Sequence, residues 1–346
     1  MTEKTLPRQW AIDRRQVVWL FLLGIAIFLL VPRLIGIRHV VRLLQVAHPA
    51  FFALALSAEI LRYFVSAGST MTLARVFDID VPLIPTVEAF FAGAAANRTF
   101  STGGAPGMVI RFAFLTRQGL HTGAVAVIFL IEDMIGLVIG GVVLLIGIVT
   151  LTNALPPGAL IVDFTVVSVI ASPLFILIGW RVYRHRAWVE REVHAIARAL
   201  RQPLEWLLGR PVLAHQSVQR ALDDFYAGMS AARRAPLNVA AVGLLNVIRY
   251  IGGAAALYFA SLAMGWAIAP GALILIYTSV SVLSTVSAVP GEVAIMGTSF
   301  ALLSLAFGVP RDVALMSILL SRAIAFWMPI PIGYAAFWNL RRKHLM

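Results

Sequence analysis

Six long apolar segments constrain this chain more than any other feature. They cover residues 16–35, 47–70, 122–151, 160–180, 236–262 and 312–338. Each is near or above the roughly 20 residues an α-helix needs to cross the hydrocarbon of a bilayer. No water is available at that depth, so each segment must satisfy its own backbone, as a helix does. Of the 346 residues, 60% are hydrophobic and 13% charged. An ordinary soluble domain is about 45–50% apolar and about 25% charged. A soluble globular enzyme and a disordered chain are therefore excluded, and an all-α polytopic membrane protein is expected. Arg14 and Arg15 precede the first segment as they would in a signal peptide. Pro32-Arg33 follows it instead of a small-residue cleavage site, so a retained first helix is expected.

The formal net charge is +12, and there is no cysteine. The absence of thiols excludes disulfides, thiolate catalysis and Cys-ligated metal sites. The positive charge has no long soluble domain to present it, so a nucleic-acid partner is not expected. It sits in three places instead. The tail 1–15 carries Lys4, Arg8, Arg14 and Arg15, the segment 181–235 carries ten arginines, and the tail 339–346 carries Arg341, Arg342 and Lys343. The linkers 152–159 and 263–270 have no Lys or Arg. Cytoplasmic loops concentrate Lys and Arg, so both termini and 181–235 are expected in the cytoplasm of a cell-membrane protein. Arg33, Arg38 and Arg42 are the exception, on an outer amphipathic stretch from which they can snorkel. Within 181–235, Val189, Val193, Ile196 and Leu200 repeat at helical spacing, as do Val218, Leu222, Phe225 and Met229. Two amphipathic helices on the inner leaflet are expected there.

Two further apolar stretches are broken. Residues 85–98 are too short to span, reaching only ~21 Å at helical rise, and run into Thr102-Gly103-Gly104-Ala105-Pro106-Gly107. Residues 271–288 and 292–308 are separated by Pro290-Gly291. Glycine and proline stop a helix here, so both stretches read as helical hairpins, re-entrant or bent at depth. They also repeat. Ile60-Leu61-Arg62-Tyr63-Phe64 returns as Val247-Ile248-Arg249-Tyr250-Ile251, an offset of 187. Thr99-Phe100-Ser101 with Ala105-Pro106-Gly107 returns as Thr285-Val286-Ser287 with Val289-Pro290-Gly291. Asp133 corresponds to Arg322. Each unit, 16–151 and 152–338, holds three crossings and one hairpin, so the second is inverted relative to the first. Interrupted segments at matching positions of two inverted halves point to a transport site near the midplane.

Ten charges fall within or at the edge of apolar segments: Glu59, Arg62, Glu88, Arg98, Arg111, Glu132, Asp133, Arg249, Glu292 and Arg322. Lipid rejects such groups at about 2.5–3.5 kcal/mol each on the insertion scale, so they should face inward and pair. Glu59 and Arg62 share a helical face, and Asp133 and Arg322 have opposite signs at equivalent positions and are expected to meet. Arg249 and Glu132 belong to the same set. Arg98 and Arg111 bracket Ser101-Thr102-Gly103-Gly104, where amides, hydroxyls and guanidiniums suit a phosphate. Glu292 in the second hairpin suits a cationic headgroup or a coupling proton.

The run Ser101-Thr102-Gly103-Gly104-Ala105-Pro106-Gly107-Met108-Val109-Ile110-Arg111, followed by Phe114-Leu115-Thr116-Arg117-Gln118-Gly119, resembles the signature of the lysylphosphatidylglycerol synthase transmembrane-region family. Pro290-Gly291 through Gly308-Val309-Pro310 to Arg322 resembles its second motif. The resemblance covers about residues 16–340. Met108 stands where the family carries Glu, Ala294 and Gly297 where it carries a later Gly and Glu, and Glu292 where a Gly is usual. The resemblance implies a flippase-like domain handling phospholipids or polyprenyl-phosphate-linked lipids. The tail 339–346 is too short for the family's attached aminoacyltransferase domain, so synthase activity is not expected of these residues.

The seven histidines show no metal-ligand spacing, and there is no nucleophile elbow or Walker loop. No cofactor, metal or catalytic residue is expected. The reading is a lipid flippase or transporter working by alternating access, downhill or ion-coupled. The alternatives are an accessory subunit that recruits a partner synthase or glycosyltransferase, and an intramembrane glycosyl or phosphoryl transferase using Glu132-Asp133.

Overall fold

The computed structural model describes residues 47–99, 104–151, 177, 181–182, 184–195, 198, 215–286 and 308–346. In chain order its helices are α1 (Pro49–Ala74), α2 (Leu83–Thr99), α3 (Ala105–Arg117), α4 (Thr122–Leu151), α5 (His215–Arg234), α6 (Pro236–Ala263), α7 (Pro270–Val286), α8 (Arg311–Arg322) and α9 (Pro329–Arg342). No strand occurs among the described residues. The expected span 16–35, all of 160–180 but residue 177, the tip residues 100–103 and almost all of the second hairpin's later arm lie outside them.

Proline opens α1, α3 and α6 within the first turn. There its missing N–H is one of the unpaired helix-end donors in any case. Four rods are long and apolar enough to span among the described residues: Pro49–Phe77, Thr122–Ile146, Pro236–Ala263 and Arg311–Arg342. They match four of the expected crossings. The last is not one uniform helix. A π-helical step, Ala323–Trp327, joins α8 to α9.

The first hairpin is α2 and α3. Gly104 makes the turn into α3 with φ +88°, a backbone that glycine adopts without cost. The Gly107 amide donates to Asn97 Oδ1 at 2.6 Å, capping the start of α3 from α2. A Cβ on Gly107 would stand 2.6 Å from the Gly93 carbonyl oxygen. The two arms therefore meet glycine on glycine, the close approach small residues permit in membranes. α7 is a helix where the first arm 271–288 of the second hairpin is expected, while the break at Pro290-Gly291 lies outside the described residues.

α6 is the hub, packing on α1, α4, α5, α7 and α8, most extensively on α1. α9 lies along α2. Leu73, Ala89, Phe114, Ile128, Val242 and Leu340 form one buried cluster drawn from six helices. Large apolar side chains on the outer faces, such as Leu61, Leu244 and Ile251, stay exposed, which suits a lipid surround.

The basic segment differs from the expectation of two helices on a leaflet. Val189 and Val193 pack against Val218, Leu222 and Tyr226, so these parts of the apolar stripes face each other. α5 then docks on the core. Gly228 seats against Phe77 and Val127, and Gly123 of α4 against the backbone at Asp224 and Phe225. Ile196 and Leu200 lie outside the described residues.

Arg186 ties the helical residues 186–195 to α5, binding Glu190 at 2.7 Å and also Asp223. Its hydrogen bond holds the Glu190 carboxyl below the usual carboxylate range. A depressed folded-state value contributes stability that is present above the unfolded value and lost as pH falls through the folded one. Protection of 186–195 from hydrogen exchange, corrected for intrinsic rate, should thus hold near neutrality and fall below about pH 4. Equal protection at pH 3 and pH 7 would contradict this.

Candidate functional site

Arg62 and Glu59 share one face of α1 and pair at 2.5 Å. Glu59 is buried. The Arg62 guanidinium lies 5.2 Å from the centre of the Tyr277 ring on α7, a cation–π arrangement that is stronger where water is excluded. Gly252 and Gly253 of α6 make room for both groups. A Cβ would come 3.2 Å from Arg62 Cγ at Gly252, and 2.0 Å from Tyr277 Cζ at Gly253.

These residues wall a cavity of about 360 Å³ where α1, α2, α6, α7 and the α8–π step converge. Arg98, Arg249 and Arg322 join Arg62 on its wall, with Tyr63, Ser66, Tyr250, Ser281 and Ser321. Glu59 is the sole carboxylate among the described lining residues. The pairs Arg62-Tyr63 and Arg249-Tyr250, alike in sequence, both border it. Tyr250 donates its hydroxyl to the Gly136 carbonyl at 2.8 Å, fastening α6 to α4.

A second cavity of about 240 Å³ lies beside the first, and Tyr63, Phe90 and Arg98 line both. Gly104, Gly107, Arg111, Glu132 and Asp133 also border it. Arg111 donates to Glu132 at 2.6 Å and to Thr70 at 3.2 Å. The Thr70 hydroxyl also donates to Glu132 at 2.5 Å. The guanidinium sits 4.0 Å from the Phe90 ring centre and 4.7 Å from that of Phe129. Arg111 is thus held by a carboxylate, a hydroxyl and two aromatic faces contributed by α1, α2 and α4.

Arg98 is held differently. Its Nε and Nη2 donate to the Ala325 carbonyl at 3.1 and 2.6 Å, and its Nη1 to the Ala94 carbonyl at 3.0 Å. Ala325 lies in the π step, four residues before Pro329. Pro329 lacks the N–H an α-helix would aim at that carbonyl, and the arginine reaches it. Around this contact, Thr99 and Tyr334 share a hydrogen bond at 2.7 Å, and Asn339 donates to Glu88 at 2.6 Å.

Of the candidate residues read from sequence, Glu59, Arg62, Arg98, Arg249 and Arg322 come together on the larger cavity. Gly104, Arg111, Glu132 and Asp133 come together on the smaller. Asp133 and Arg322 line different cavities; Asp133 is within electrostatic reach of Arg111 and Arg249. Ser101, Thr102, Gly103 and Glu292 lie outside the described residues. Sequence reasoning missed Tyr277, Thr70 and the Ala325 carbonyl. Pro329 was the signal for Ala325, and the Gly252-Gly253 pair the signal for a bulky partner of α6. Among the described residues no three His, Asp or Glu side chains gather to hold a metal.

No curated protein matches this chain. The family model for the lysylphosphatidylglycerol synthase transmembrane region matches residues 19–333, so the chain, with its apolar helices around an arginine-lined cavity, belongs to that family of membrane proteins.

Proposed function

We propose that the protein moves a phospholipid or polyprenyl-phosphate lipid across the cell membrane, binding its phosphate in the larger cavity. The observation that carries this reading is Arg62, Arg98, Arg249 and Arg322 on one intramembrane wall beside a single described carboxylate, Glu59. Ionisable residues at membrane depth are costly, and they mark substrate and ion pathways. Guanidiniums suit phosphate because their planar fork matches its oxygens. Placement of Arg62-Tyr63 and Arg249-Tyr250 on the same wall supports a site shared by two inverted repeats, with rocking of one repeat against the other as the motion. The basic segment and both termini face the cytoplasm in this reading, and no covalent step is needed.

The test is lipid scrambling in phosphatidylcholine vesicles doped with fluorescent phosphatidylglycerol or a labelled polyprenyl phosphate. Wild-type protein should equilibrate the label between leaflets without altering it chemically. Arg249→Ala and Arg322→Ala should slow this about 10-fold or more, the scale of a lost charged hydrogen bond of about 1.5–3 kcal/mol. Scrambling equal to that of protein-free vesicles, or equal rates for wild type and both variants, would rule the reading out.

A further inference from the structure

We propose that Arg98 is a phosphate ligand held on a backbone carbonyl, and that an arriving phosphate draws it off. The inference rests on the reading of the larger cavity as a phosphate site. Among the arginines at depth with hydrogen bonds described above, Arg62 donates to Glu59 and Arg111 to Glu132. Their acceptors are carboxyl groups. Arg98 donates to the carbonyls of Ala94 and Ala325, which are neutral. Hydrogen bonds between ionised partners are roughly twice as strong as neutral ones. A phosphate therefore competes well for Arg98, and poorly for an arginine already on a carboxylate.

Position adds a consequence. Arg98 borders both cavities, with Tyr63 and Phe90, so its guanidinium can follow a phosphate from one to the other. The carbonyl it leaves belongs to the π step between α8 and α9. Pro329 offers that carbonyl no N–H in its place. Departure of Arg98 unties α2 from the terminal rod at this point, which links occupancy of the site to freedom of that rod.

Arg98→Gln, Arg98→Lys and Pro329→Ala separate this from a purely structural tie. The readout is binding of fluorescent phosphatidylglycerol to protein in phosphatidylcholine nanodiscs, alongside thermal melting in detergent. Arg98→Gln should weaken binding about 10-fold, again the scale of a lost charged hydrogen bond. Arg98→Lys keeps the charge and loses the fork, so it should fall between. Pro329→Ala restores an N–H to the Ala325 carbonyl and frees Arg98. It should tighten binding several-fold while leaving melting unchanged or raised. A structural tie predicts changes in melting only. If wild type binds and scrambles lipid while Arg98→Gln and Pro329→Ala bind as wild type does, or Pro329→Ala binds more weakly, this proposal falls and the transport reading stands. If wild type neither binds nor scrambles, the transport reading falls and takes this one with it.

Discussion

Glu132→Leu is expected to destabilise the protein by about 3–5 kcal/mol, the cost of breaking a buried ion pair by removing one partner. The Arg111 side chain is largely buried, and its guanidinium is enclosed by Phe90 and Phe129. Without Glu132 its remaining hydrogen-bond partner is the Thr70 hydroxyl, beside the two ring faces, with Asp133 within electrostatic reach. The Thr70 hydroxyl in turn loses its carboxylate acceptor and is left with the Ser66 carbonyl at 3.5 Å. Arg111 cannot shed its charge to escape, because a guanidinium stays protonated. Replacing both partners by apolar groups of similar size should return most of the loss, since an apolar isostere of a buried pair is often neutral or better. The measurement is thermal melting in detergent of Glu132→Leu, Arg111→Met and the double variant. A double variant melting at or below the worse single variant would show that the pair is not acting as a unit. Lipid scrambling by a well-folded double variant would further show that Arg111 is not needed to hold phosphate.

Gly333→Ala should have the next largest effect. An added Cβ there would stand 2.2 Å from the Phe91 carbonyl oxygen, 2.6 Å from Ala95 Cβ and 2.8 Å from the Phe91 carbonyl carbon. Ordinary C···O approaches are about 3.3–3.6 Å, so α9 must retreat from α2 by roughly 1 Å. Two of the three obstructing atoms are backbone and cannot rotate away. Overpacking of this kind costs about 1–3 kcal/mol. The same retreat strains the contacts along the seam, from Asn339–Glu88 through Thr99–Tyr334 to Arg98–Ala325. Residues in one contact network do not contribute additively, so the loss should sit at the top of that range. Adding Ala95→Gly should recover a minority of it, because the Phe91 carbonyl remains in the way. Melting of Gly333→Ala at the wild-type temperature would show that the α2–α9 seam is looser than these distances require.

Much of the architecture was legible before any coordinates. The α1, α4, α6 and α8–α9 rods follow from apolar runs of spanning length. The break between α2 and α3 follows from Gly103-Gly104 and Pro106, and the Glu59–Arg62 pair from a spacing of three on one helix. Arg111–Glu132 was not legible. The two residues are 21 apart on separate helices, and nothing local states which turn of α4 faces which turn of α3. The expected Asp133–Arg322 meeting illustrates the same limit. Equivalence within a repeat gives matching places in two units, but α4 and α8 are brought to the cavities through α6, whose Arg249 lies within reach of Asp133. The amphipathic stripes of 181–235 were read correctly as stripes. Whether lipid or another helix covers a stripe is not written in its period, and here the described parts cover each other.

Hydropathy, helix breaks and charge placement are properties of short stretches, because backbone stereochemistry and transfer from water act within a few residues. By itself, then, the sequence determined the membrane class, the helices, the broken hairpin and the list of charges that lipid would reject. Only the tertiary structure decided which charge meets which. That depends on the rotation and register of helices far apart in the chain, set by contacts such as Gly93 on Gly107, Gly253 on Tyr277 and Gly333 on Phe91. Those contacts put Arg62 and Arg98 on one wall and left one of them on a carboxylate and the other on a carbonyl.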